Sequence, residues 1–199
     1  MPKVGMEDFR RSSLILATLH TIQAKGTIDI RVSDIASHAG VSSGLAHHYF
    51  GSKENLILAA LRHLLSEFRI SVINELSIAK TPREKISAIV SACLNQQQFS
   101  QENVTAWLIF YAHAQESPQA QKLLRVYVRR LQSNLRYHLK PMVGDKSASI
   151  AEVVGSLIDG IFIRQALRLE KANSDFSKTL IEECLNLHIA AASGLKNGI

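Results

Sequence analysis

SDIASHAGVSSGLAHHYFGSKENL, residues Ser33 to Leu56, breaks a helical pattern in the middle of the chain's first third. Gly40 follows a short apolar-periodic run. Two serines come next, then His47-His48 and Tyr49-Phe50. A glycine inside a helix is costly, so its presence here points to a turn that needs positive φ. Ala36 supplies a small residue where a second helix can cross the first. Ile35, Ala39, Val41, Ala46 and Tyr49 frame an apolar corner on both sides of the turn. Ser42 can cap the second helix, whose free N–H groups and positive dipole end then suit phosphate. The stretch therefore predicts a helix-turn-helix, with helices over 32–39 and 43–50.

Helical periodicity continues on both sides. Phe9, Ile15, Leu16, Leu19 and Ile22 predict a first amphipathic helix that Gly26 stops. Ser52 can cap a long helix carrying Leu56, Ala60, Leu61, Leu64, Leu65 and Phe68. Thr81, Pro82 and Glu84 form a capping box ahead of Ile86, Ile89, Val90 and Cys93. A further helix covers QENVTAWLIFYAHAQES and ends before Pro118; the next is long and stops at Pro141. Ser149 and Glu152 read as a second capping box, opening a helix through Phe162. The last helix runs from about Phe176 to Ala192. The expected fold is all-α, with about nine helices. A small helix-turn-helix domain with an N-terminal arm (1–51) precedes a larger effector-binding and dimerisation domain (52–199).

The bulk numbers agree with a globular chain. Its 199 residues are 46% hydrophobic, too apolar for a disordered segment. A net charge of +6 suits an anionic partner such as nucleic acid. The first residues carry no apolar run of signal-peptide length, and Asp159 interrupts the best apolar run, so neither export nor membrane insertion is expected. Cys93 and Cys184 have no metal spacing and read as thiols of a cytoplasmic protein. No nucleophile–base pair, phosphate loop or metal-ligand spacing is found, so an enzyme, a metal site and a cofactor are not expected. The adjacent histidines lack a third ligand at a sensible spacing.

Ile35-Ala36, Ala39-Gly40-Val41-Ser42, Gly44, Tyr49-Phe50 and Ser52-Lys53-Glu54 with Leu56 resemble the DNA-binding domain of the TetR family of bacterial repressors. The resemblance implies that the second helix of the motif enters the major groove of operator DNA. Ser42, Ser43, Gly44, Leu45, His47, His48 and Tyr49 would then face DNA, and Lys53 would hold a phosphate. Leu45 would meet a thymine methyl, and His48 a base edge or phosphate. Arg31 stands where the family commonly has a hydroxyl cap, within reach of phosphate. Leu45-Ala46-His47 replaces the family's usual Thr-Leu-Tyr, so the bases read are open. Lys3, Arg10 and Arg11 are placed to meet phosphates or the minor groove, or to form a solvated basic tail.

MPKVGMEDFRR, AWLIFYAHA, RRLQSNL and SLIDGIFIRQAL resemble the BetI-type branch of that family, the choline-sensing repressors of glycine-betaine synthesis. That implies choline as the effector. A quaternary ammonium donates no hydrogen bond and is best held by aromatic faces with a carboxylate nearby. Trp107, Phe110, Tyr111 and Ala114 fall on one helical face; Asp159 and Phe162 share a face of a later helix. Phe99 and Tyr127 are weaker candidates. From the residues alone the aromatic stripe is core or pocket, and Asp159 is a pocket carboxylate or a structural partner of Arg164, Arg129 or Arg130. One short recognition helix selects a site poorly alone, so a homodimer on paired half-sites is expected. The last two helices offer its apolar interface, with Gly155 and Ser156 permitting close approach.

Overall fold

The computed structural model describes residues 6–166 and 173–194; Lys3 lies outside them. Nine α-helices and one 3-10 turn make up the described residues, with no strand among them. They are α1 (Met6–Lys25), α2 (Val32–His38), α3 (Ser43–Phe50), α4 (Lys53–Ile78), α5 (Pro82–Cys93), α6 (Gln101–His113), α7 (Pro118–Val143), α8 (Ser147–Ala166) and α9 (Ser174–Gly194), with the 3-10 turn at Gly144–Lys146.

The chain forms two compact units. One comprises Met1–Ser66 and Thr105–Leu124, the other Glu67–Val104 and Arg125–Ile199. This partition is not a single cut at residue 52, because α4, α6 and α7 each continue from one unit into the other. In the first unit Leu14, Ile22, Ile35, Ala36, Ala46, Leu56 and Leu61 are buried, together with Trp107 and Phe110 of α6. In the second, Ile86, Ile89, Leu135, Leu139, Val154, Ile158, Ile181 and Leu185 are buried. Arg83 of α5 pairs with Glu182 of α9 and donates to Asn186 Oδ1 at 2.8 Å, so polar contacts pin α5 to α9.

Sequence-local signals set most helix starts. Ser52 Oγ accepts the N–H of Asn55 at 3.1 Å, capping α4 as expected. The Thr81 capping box is complete: Thr81 Oγ1 accepts from Glu84 N, and Glu84 accepts from the N–H groups of Lys80 and Thr81. Four boundaries depart from the sequence reading. α6 ends at His113, and Ser117 then caps α7 by accepting the N–H of Ala120. α7 does not stop at Pro141 but runs through it to Val143. Proline removes only one intrahelical bond, and Tyr137, whose carbonyl loses it, is exposed to water. α8 begins at Ser147, so Ser149 and Glu152 form no capping box; Ser149 Oγ instead donates to the Lys146 carbonyl at 2.9 Å. α9 starts at Ser174, where Asn173 Oδ1 accepts the N–H of Phe176.

Gly155 also differs from its expected role. It is buried within the subunit, where a Cβ would lie 2.5 Å from the end of the Gln132 side chain, so it is not offered to a dimer interface.

Candidate functional site

The turn between α2 and α3 is a Schellman motif. Val41 N–H reaches the Ala36 carbonyl at 3.0 Å and Gly40 N–H the Ser37 carbonyl at 3.2 Å. Gly40 stands at φ +67, the left-handed conformation this closure needs. Ile35, Ala36 and Ala46 are buried beneath the corner, with Ala39, Val41 and Tyr49 half-buried around it. Ser42 Oγ then accepts the Leu45 N–H at 3.2 Å and starts α3. Ala46 and Phe50 point into the core, leaving Gly44, His47 and His48 exposed and Ser43 and Leu45 half-buried. One face of α3 is thus anchored and the other is open. The His48 and Tyr49 rings lie 5.4 Å apart.

The cations around α3 differ in their environments. Arg31 is exposed at the start of α2 and makes no side-chain cap. Arg10 is half-buried. Arg11 is turned inward: its Nη1 donates to the Tyr49 carbonyl at 2.9 Å, and its guanidinium stands 4.9 Å from the Phe50 ring centroid. A cation at the C-terminal end of α3 also opposes the negative end of the helix dipole. Arg11 therefore ties α1 to the last turn of α3, a strut that the periodicity of α1 did not reveal. Lys53 Nζ donates to Asp29 Oδ1 at 3.1 Å, an exposed pair that water and salt weaken.

Two further arrangements escaped the sequence reading. Lys25 pairs with Asp34 across α1 and α2, and this holds the Asp34 carboxyl below its ordinary range. The His20 and His38 rings stack at 4.4 Å beside it. Glu54, in the first turn of α4, accepts Ser117 Oγ–H at 2.7 Å and meets His113 Nε2 at 3.2 Å. No spacing rule links residues 54, 113 and 117, so only the folded chain shows this triad.

The candidate effector residues fall in both units, and each set is described by itself. In the first, Trp107 and Phe110 are buried and Tyr111 is half-buried, with the Trp107 and Tyr111 rings 5.8 Å apart. In the second, Asp159 and Phe162 are half-buried one turn apart on α8, and Phe162 meets Phe99 at 5.2 Å. Asp159 lies close enough to Cys93 to add to the upward push that burial exerts on that thiol. Among the described residues Arg129, Arg130 and Arg164 form no ion pair, so the structural pairing considered for Asp159 is not made with them. Tyr127 is half-buried and packs edge-on against Phe68, with ring centroids 5.2 Å apart.

Residues 14–60 match the family described as bacterial regulatory proteins of the tetR family, and residues 82–190 match the BetI-type transcriptional repressor C-terminal domain. The chain belongs to the TetR family and carries a BetI-type C-terminal domain. It is 45% identical over 190 residues to the HTH-type transcriptional regulator BetI of Brucella anthropi, covering 95% of this chain and 98% of that protein. It is a transcriptional repressor of that type, not an enzyme. Its fold also resembles a transcriptional regulator from Pseudomonas aeruginosa PAO1 (TM-score 0.81, 18% identity, 92% of this chain and 91% of that one). A regulator from Saccharomonospora viridis, solved in complex with choline, is similar too (TM-score 0.76, 21% identity, 88% of this chain and 95% of that one). No described helix is long and apolar enough to cross a membrane.

Proposed function

We propose that this repressor binds an inverted-repeat operator as a homodimer, responds to choline, and controls genes for converting choline to glycine betaine. The BetI-type match over residues 82–190 carries the reading, because it covers the half in which the effector residues fall. The α3 face formed by Ser43, Gly44, Leu45, His47 and His48 enters the major groove, with Arg31, Ser42 and Lys53 toward phosphate. Lys53 must exchange Asp29 for a phosphate, which an exposed pair permits at little cost. Arg10 is offered to the flanking backbone.

The dimer surface is assigned to the last two helices, where Val153, Phe176, Leu180 and Leu187 are exposed. An open groove along α8, lined by Ser149, Glu152, Val153, Ser156 and Leu157, lies on the same helix. For the effector, the second unit offers what a quaternary ammonium requires: the Phe99–Phe162 aromatic pair with Asp159 one turn before Phe162. The Trp107–Tyr111 pair of α6 is the aromatic set of the first unit. α4 is continuous from Lys53 to Ile78, so a shift of its C-terminal half reaches the residue that follows the helix-turn-helix. A coupling of about 1–3 kcal/mol suffices for regulation.

Calorimetric titration with choline, beside a panel of other cationic and lipophilic compounds, tests the effector. Saturable choline binding that Asp159→Asn abolishes, with operator binding intact, is the expected result. Absence of choline heat at millimolar concentration, with another compound binding, would replace choline by that compound and leave the repressor assignment standing.

A further inference from the structure

α7 carries Lys122, Arg125, Arg129, Arg130, Arg136 and Lys140 and no acidic residue. Set those six aside from the 23 Lys and Arg, and the rest of the chain balances its 17 Asp and Glu. The net charge of +6 is therefore that of one helix, and it does not come from the helix-turn-helix.

Within the second unit Arg125, Arg129, Arg136 and Lys140 follow an i, i+4, i+11, i+15 spacing, which places them on one narrow face. All four are exposed, and Arg130 and Tyr137 flank them, also exposed. The opposite face, with Leu131, Leu135, Leu139 and Val143, is buried. Among the described residues Arg129, Arg136 and Lys140 have no ion-pair partner. From Arg125 to Lys140 the row is about 22 Å long at ~1.5 Å per residue. Like charges aligned along a helix repel each other, so the row lowers the helix's own stability unless it serves an anionic partner.

We propose that this face of α7 is a second, sequence-independent DNA contact, which takes the phosphate backbone of duplex DNA. Arginine predominates in the row, and its planar fork matches phosphate oxygens. An acidic membrane surface fits less well. Surface helices bind bilayers through an apolar face, and here that face is committed to the core. The inference needs only that the protein binds DNA and is independent of the effector.

The test uses the full-length protein and a duplex of about 40 base pairs lacking the operator, titrated across a range of salt. Each lost phosphate contact lowers the slope of log K against log salt by ~0.9. R129Q/R136Q/K140Q should lower that slope by about 2.7, so its affinity loss from ~50 to ~200 mM salt is about 40-fold smaller than the parent's. R129K/R136K keeps the charge and should leave the slope unchanged. A triple variant with the parent's slope would overturn the proposal, as would equal slope losses in the lysine and glutamine variants. Loss of binding to phosphatidylglycerol–phosphatidylethanolamine vesicles with an unchanged DNA slope would assign the face to a membrane and overturn it too. Circular dichroism of each variant separates these outcomes from misfolding.

Discussion

Arg11→Ala distinguishes a strut from a phosphate contact. In the folded chain Arg11 Nη1 donates to the Tyr49 carbonyl at 2.9 Å, in a partly buried position. A hydrogen bond from a charged donor contributes roughly 1.5–3 kcal/mol. The guanidinium over the Phe50 ring, 4.9 Å from its centroid, adds about 0.5–1 kcal/mol. Partial solvent access puts both at the low end, so the substitution should cost about 2 kcal/mol. For a chain of this size that is a fall in Tm of about 4–8 °C. Arg11→Lys keeps the charge but not the planar fork, and should fall between. Thermal unfolding without DNA is the primary assay, and operator affinity against salt is the second. The alanine variant should melt early, and its salt slope should match the parent's once both are folded. An unchanged Tm with a slope reduced by ~0.9 would refute the strut and return Arg11 to the phosphate backbone.

Gly40→Ala places a Cβ in open space, since nothing lies within 4 Å, so only the φ of +67 opposes it. The expected loss is about 1–2 kcal/mol by chemical denaturation, and Gly40→Asn should lose less. Glu84→Gln tests the capping box through pH. The N–H groups of Lys80 and Thr81 hold the Glu84 carboxyl below its ordinary 4.5. Its stabilisation is therefore complete above that value and is lost as pH falls through the folded one. The glutamine variant should be less stable near neutrality and converge with the parent in acid; a constant gap across pH would contradict the carboxylate's role.

The helix-turn-helix was legible because its determinants lie within a few residues of one another. A positive-φ glycine, a serine cap and an apolar frame act over a turn or two, and periodicity reported the buried side of α4; in α1 it did not, for Phe9 and Leu16 are exposed while Leu14, Ala17 and Ile22 are buried. The same locality made the Thr81 capping box readable. It misled at Ser149, where the cap pattern is present but a 3-10 turn and Ser147 begin α8 first. It misled again at Pro141, which one lost bond on an exposed face did not stop.

Other features depend on groups brought together from distant parts of the chain. Arg11 and Tyr49, Glu54 with His113 and Ser117, and Gly155 against Gln132 meet only after the helices have packed. By itself the sequence determined the helices, the caps of α3, α4 and α5, the motif and the +6 charge concentrated in α7, since these follow from backbone sterics and periodicity between near neighbours. The tertiary structure alone decided which cations are held inward and which carboxylates are engaged. Those fates are set by distances between residues many turns apart in the chain, and no local spacing encodes them.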